Sequence, residues 1–376
     1  MKAGSGYSTA NDSQTAVLEA LEMALDVGAD QPAILFVFIT DRYDPEAVVS
    51  ALNQKLDGVP FAGMCAAGIL YGNQVYTSGV AILALHGEEL EAQTVLSSGL
   101  NKNPFDVGKF TADKILANGH EDGIVAVFPD GFSSNIAEML RGLYMNMGPS
   151  FQYIGGGAGD NLKFYKTYQF TEQGVATDAV AAAMIRGIPV NISLGHGWES
   201  YGEPIMVTRA EGKRVYEIDG KPAFDAYKDR FEGVTIDSFS SVGMKHPLGF
   251  IDVNGHYYIR DPLSVNPDDN SINCVSEVPP NAIGNIMKGE VSQLINTARS
   301  VCINAKKTSK NPSFALICDC ISRYLLMADE FEAELETFRE VIGDDVPVVG
   351  ALTFGEVGSV ENAPFFHNKT LVLAIG

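Results

Sequence analysis

The stretch FQYIGGGAGDN (151–161) places glycines at 155, 156, 157 and 159, then Asp160 and Asn161. A glycine run costs backbone entropy and is kept where another group must come close to the chain. Phosphate binding is the first chemistry to test. A dinucleotide fingerprint needs G-x-G-x-x-G. Counted from Gly155 the sixth position is Asp160, and counted from Gly157 it is Leu162. A P-loop needs a lysine after its second glycine. Gly350 and Gly355 have the glycine spacing, but Glu356 follows, and a carboxylate there repels phosphate.

The charges beside these glycines point to another chemistry. Asp160 and Glu356 each follow a glycine, and either carboxylate suits an ammonium group. Arg323 lies three residues after Cys320, just past a strand end, where ligands collect in α/β folds. A guanidinium grips a carboxylate with two parallel hydrogen bonds. Together these charges would clamp a zwitterion such as an amino acid, with Asn161 and Asn368 as neutral donors and acceptors. The plainer alternatives are a structural ion pair for Arg323 and turn chemistry for Asp160 and the asparagines.

Other chemistries are thinly supported. Cys318 and Cys320 are two apart on an expected strand and share a face, but no further ligands stand at metal spacing. They read as buried apolar thiols. The six histidines are scattered; His196 in GHGW and His256 before two tyrosines are the two to weigh as axial haem ligands. There is no G-x-S-x-G elbow. A hydrolase working through its N-terminal residue would need Ser5 freed by cleavage. No nucleophile–base pair can be assembled, so the chain reads as non-catalytic.

The elements that must position these residues recur. AILFVFIT (33–40) is a continuous apolar run, as for a strand buried on both faces. DRYDPEAVVSALNQKL follows as a helix with Pro45 near its start, then PFAGMCAAG and GVAILAL (79–85). The order returns in GIVAVFPD (123–130), a helix over 133–147, QYIGGGAGD and VAAAMI (180–185). It returns again in FALICDC (314–320), a helix over 331–342, PVVGALTFGE and TLVLAIG (370–376). The glycines thus belong to a repeated thin strand over which another backbone or a ligand can lie. The expected fold is α/β: two fused modules of strand-helix-strand-strand units, with mixed β-sheets flanked by helices in an αββα-like layering. Residues 1–30 read as an N-terminal helix and extension, 31–218 as the first module and 219–376 as the second.

Composition bounds the function. The 376 residues are 46% hydrophobic and 19% charged, with a formal net charge of -21. Such acidity repels nucleic acid and anionic membrane. The longest apolar runs are strand-length, too short to span a bilayer, and the polar start MKAGSGYSTANDSQT does not read as a secretory leader. Five cysteines, an odd number, suggest free thiols in a reducing cytoplasm.

GGGAGD, C-x-x-R at 320–323, GE at 355–356 and HNKTL at 367–371, in that order, resemble the FIST family, named for F-box and intracellular signal transduction proteins. AILFVFIT, PFAGMCAAG and YIGGGAGDN resemble its N-terminal module; VPVVGALTFGEVGS and FHNKTLVLAIG resemble its C-terminal one. The resemblance implies an intracellular, bacterial-type sensory module for a small ligand, amino acids among them. It directs attention to Gly155, Gly156, Gly157, Asp160 and Asn161 in the first module, and to Cys320, Arg323, Gly355, Glu356 and Asn368 in the second. It further implies output through a kinase, cyclase or chemoreceptor, which here would be a separate protein. It also raises haem-based sensing of nitric oxide as an alternative, and otherwise no cofactor.

Overall fold

The computed structural model describes residues 1–27, 31–133, 135–252, 255–309 and 311–376. The expected boundary at 30/31 adjoins residues 28–30, which lie outside the described residues. The chain builds one eight-element unit three times, the third with an added short helix. The first runs β1 (Lys2–Ser8), α1 (Ser13–Leu25), β2 (Ile34–Thr40), α2 (Pro45–Lys55), β3 (Phe61–Ala66), β4 (Gly68–Tyr71), β5 (Gln74–Tyr76) and β6 (Val80–His86). The second runs β7 (Glu91–Ser98), α3 (Pro104–Leu116), β8 (Gly123–Pro129), α4 (Ile136–Met147), β9 (Phe151–Gly156), β10 (Gln169–Thr171), β11 (Gly174–Ala176) and β12 (Ala179–Arg186).

The third unit opens with β13 (Asn191–Gly195) and is then interrupted. The insertion comprises β14 (Glu199–Glu211), β15 (Arg214–Ile218), β16 (Lys221–Pro222), α5 (Ala223–Lys228), α6 (Ile236–Lys245), β17 (Leu248–Ile251), β18 (Tyr257–Arg260), β19 (Pro262–Asn266), β20 (Ser271–Cys274) and β21 (Ile283–Lys288), whose strands form an eight-stranded sheet of their own. The unit resumes with α7 (Val291–Lys306), β22 (Ala315–Cys320), α8 (Ile321–Met327), α9 (Phe331–Ile342), β23 (Val348–Thr353), β24 (Glu356–Val360), β25 (Ala363–His367) and β26 (Leu371–Ile375).

Each unit gives its β-hairpin away. The sheets are ordered β1-β6-β2-β3-β10-β11, β7-β12-β8-β9-β24-β25 and β13-β26-β22-β23-β4-β5. The first unit's hairpin completes the third sheet, the second's completes the first, and the third's completes the second. The exchange crosses the expected division at 218/219 in both directions. The acceptor strand is thin where it meets its own unit's central strand. Gly63, Gly155 and Gly350 stand opposite Val37, Val127 and Ile317 in the parallel pairs. A Cβ there would lie 2.1, 1.9 and 2.4 Å from those residues' carbonyl oxygens. On their other side stand Phe170, Val357 and Leu70 of the incoming hairpins.

The continuous apolar runs are buried on both faces, as expected. In β2, Ile34, Phe36 and Phe38 join a central core shared by all three sheets, while Leu35, Val37 and Ile39 pack under α1 and α2. Phe128 of β8 meets Phe36 and Phe38 edge-on at 6.3 and 5.5 Å. Burial of each such ring contributes about 1.5–3 kcal/mol. Helix starts follow local chemistry: Asp12, Asp44 and Asn135 accept backbone N–H bonds as N-caps, and Pro45 sits in the first turn. Replacing Gly155 by alanine drives a methyl into the Val127 carbonyl, with an expected loss of about 1–3 kcal/mol in denaturant unfolding. Gly87→Ala, whose nearest neighbours would be 3.8 Å away, should be close to neutral; equal effects at the two sites would contradict this packing.

Candidate functional site

The third unit carries a buried carboxyl where the other two carry an apolar side chain and an amide. Glu356 opens β24 and faces Gly156 across the exchanged pair; the matching hairpin positions are Ile69 and Gln169. Its carboxyl is fully buried. Thr353 Oγ1 donates to Oε1 at 2.8 Å, the Thr370 N–H donates to Oε2 at 3.1 Å, and the Cys320 thiol lies against it. Burial pushes Glu356 up to about 8 and pushes the Cys320 thiol well above its usual range.

The turn joining β25 to β26 closes this cluster. Lys369 there has φ 56, a conformation uncommon for a residue with a Cβ and worth a functional reading. Its ammonium is buried, 2.9 Å from Asp261 Oδ2 of the insertion and 5.4 Å from the Trp198 ring centroid. The Ser322 hydroxyl donates to the same Asp261 oxygen at 3.1 Å. The Lys369 ammonium makes no well-directed hydrogen bond, and His367 Nε2, Asn368 Oδ1 and Trp198 Nε1 are buried without any. Buried polar atoms are ordinarily satisfied, so their concentration around one turn marks it.

A cleft of about 1180 Å³ opens onto the turn, between the insertion and the third unit. Its lining includes Tyr257, Tyr258 and Arg260 of β18, Leu194 of β13, Phe366 and His367 of β25, and Thr370. Glu356 is one hydrogen bond behind Thr370. Burial, with the Arg260 charge nearby, holds His367 down at about 3, so the ring is neutral near pH 7.

The residues expected from the sequence divide accordingly. Cys320, Gly355, Glu356 and Asn368 do converge. Arg323 is close in sequence but faces away and does not line the cleft: its Nε lies 3.0 Å from Asp319, its Nη2 donates to Glu334 at 2.6 Å, and its Nη1 donates to the His196 carbonyl at 2.6 Å. It is fully buried with its donors used internally, the structural ion pair rather than a ligand grip. Burial, then the neighbouring Glu334 carboxylate, pushes Asp319 well above the carboxylate range. Asp160 accepts from the backbone N–H groups of Lys163, Phe164, Tyr165 and Lys166, holding the loop after it; Asn161 is exposed on that loop. The clamp of Arg323, Asp160 and Glu356 is therefore not formed. Gly155, Gly156 and Gly157 are covered by the third unit instead of a ligand. A Cβ on Gly156 would meet Thr353 at 2.5 Å, and Gly157 donates to the Gly355 carbonyl at 2.8 Å. Gly355 itself, at φ 86, would drive a Cβ into the Phe366 ring.

Neither expected haem ligand offers a buried free imidazole. His196 accepts from the Trp198 N–H at Nδ1 and bonds the Tyr257 carbonyl at Nε2, while the His256 side chain is 75% exposed beside Asp252. Among the described residues no group of three His, Cys, Asp or Glu is set to hold a metal, and no helix is long and apolar enough to cross a membrane. The sequence reading missed Lys369, Thr370 and His367, although they stand in the quoted HNKTL, and it missed Asp261, Trp198 and Arg260, which no local pattern marks.

These features define a three-unit α/β protein with exchanged hairpins and an inserted sheet beside a polar turn. The chain belongs to the FIST signal-transduction family: residues 33–221 match the FIST N domain and residues 223–359 the FIST C domain. It is 24% identical to an uncharacterized protein of Methanocaldococcus jannaschii, over 89% of this chain and 72% of that one. It is 23% identical to an uncharacterized protein of Mycobacterium bovis, over 100% and 98%.

Two outcomes follow for stability. Glu356, raised from 4.5 to about 8, binds a proton in the folded state that the unfolded chain gives up. Its contribution is full below pH 4.5 and is lost as pH rises towards 8. His367, lowered from 6.5 to about 3, contributes above 6.5 and loses that as pH falls. Between pH 6.5 and 8 the Tm of the wild type should therefore fall more steeply than that of Glu356→Gln; identical slopes would contradict the assignment. Arg323→Met strands the buried Glu334 carboxylate beside Asp319 and should cost roughly 3–5 kcal/mol in denaturant unfolding; a near-neutral result would contradict its structural role.

Proposed function

We propose that this protein is a non-catalytic sensory module that receives a small polar ligand, with amino acids as the first class to try, in the cleft between the insertion and the third unit. Occupancy is passed to a separate signalling protein of the kinase, cyclase or chemoreceptor type. The observation that carries this reading is the cleft between the insertion and the third unit, lined by His367, whose buried Nε2 has no partner, with the unbonded Asn368 Oδ1 and the Lys369–Asp261 ion pair next in the chain. Joints between modules are common ligand sites. A ligand that touches both walls favours one arrangement of them over another. The Lys369–Asp261 pair crosses the same joint, so a change there reaches Glu356 through Thr370.

Absence of catalysis is supported by the Cys320 thiol, which burial holds protonated and unreactive. The net charge of -21 disfavours nucleic acid and anionic membrane as partners. Five unpaired buried cysteines suit a reducing, cytoplasmic setting.

A thermal-shift screen of the twenty amino acids and common metabolites tests the reading. A compound at a hundred times its Kd stabilises by about 2.7 kcal/mol, a shift of several degrees. Val360→Trp, on the cleft wall, should remove that shift. Stabilisation that survives Val360→Trp, or none from any compound, would count against the cleft.

A further inference from the structure

We propose that the ligand of this cleft is a carboxylate with an apolar body, its anionic end received by Arg260 and a neighbouring polar atom by His367. The inference rests on the cleft being the ligand site. It starts from a guanidinium with no carboxylate in ion-pair contact. Arg260 ends β18, and its Nε donates to the Glu277 carbonyl at 2.6 Å. Its Nη1 donates to the Ile259 and Phe366 carbonyls at 2.9 and 3.3 Å, and the guanidinium stacks on Tyr258 at 4.8 Å. All these hydrogen-bond partners are neutral. Among the described residues no carboxylate forms an ion pair with Arg260, and Nη2 donates to none of them.

That is unusual in this chain. Acidic side chains number 47 against 26 basic ones, so counter-charges are plentiful. Arg323, fully buried where Arg260 is half-buried, has two carboxylates at 3.0 and 2.6 Å. Burial of an uncompensated charge is costly, and for Arg260 it pulls the guanidinium below its ordinary value. The Glu277 side chain faces the same cleft beyond ion-pair distance. A ligand anion meeting Nη2 would supply the missing charge.

The second observation is His367. The residue is 6% exposed, lines the same cleft, and its Nε2 has no partner. It is close enough to Arg260 to feel its charge. A neutral imidazole there accepts or donates one hydrogen bond according to its tautomer. One guanidinium edge, with no lysine on the wall, matches a planar carboxylate better than a phosphate dianion. Tyr257, Leu194 and Phe365 provide apolar wall for the body.

The test uses the full-length chain with 2-naphthoate and its neutral isostere 2-naphthamide, with binding followed by fluorescence or calorimetry. Naphthoate should bind at least about tenfold more tightly than naphthamide. Arg260→Gln should bring it down to the naphthamide level, and Arg260→Lys should keep part of the preference. Arg260 also ties three carbonyls, so circular dichroism must confirm folding of each variant. The wild-type ratio decides even if a variant fails to fold. Equal affinities for the two probes in wild type would overturn the carboxylate inference and leave the cleft standing. If neither probe binds, or if Val360→Trp binds both undiminished, the cleft reading itself falls.

Discussion

The exchanged hairpins are the constraint on which the rest of the molecule depends. Each sheet is finished by two strands from another unit, so no unit can satisfy its edge alone. An unpaired edge strand leaves backbone donors and acceptors open. The exchange removes that exposure at each acceptor strand and ties the three units into one body around a shared core. The thin strands at Gly63, Gly155 and Gly350 lie close against their own unit's central strand on one side and receive the hairpin on the other. The glycine-rich stretch that suggests a phosphate loop is thus a structural contact.

Closure also explains where polar chemistry collects. The third unit is interrupted by a sheet that packs back on its own last hairpin. There a second wall exists, and there a lysine in the left-handed region follows two unbonded polar atoms, at His367 and Asn368, beside the buried Glu356 carboxyl. The molecule treats its buried charges in two ways. Arg323 is neutralised by Asp319 and Glu334, as a structural brace would be. Arg260 and the 367–369 turn are left incompletely satisfied, as a receiving surface would be.

Much of the fold is legible in the sequence for a local reason. AILFVFIT, GIVAVFPD and FALICDC are strand-length apolar runs, and burial on both faces is what such runs require. The repeat is legible because PFAGMCAAG, QYIGGGAGD and PVVGALTFGE share small residues in one slot. The exchange of hairpins is not legible, since the same β4–β5 segment would suit its own sheet equally well. Nor is β1 signalled, in a polar start with Gly4 and Gly6. The site is half legible. Glu356, Asn368 and Cys320 announce themselves beside glycines and in motifs. Arg323 misleads because C-x-x-R has the same spacing whether its guanidinium meets a ligand or Glu334 from a later helix. Asp261, Trp198 and Arg260 lie 62 or more residues from Arg323 along the chain, and only tertiary packing brings their chemistry to the turn.

Native-state hydrogen exchange under increasing denaturant tests the interlocked architecture most directly. Amides of β4, β10 and β24 should lose protection together with their acceptor strands β23, β3 and β9, in one opening at the free energy of global unfolding. Exchange in which residues 31–218 open as one unit, separately from residues 219–376, would contradict it.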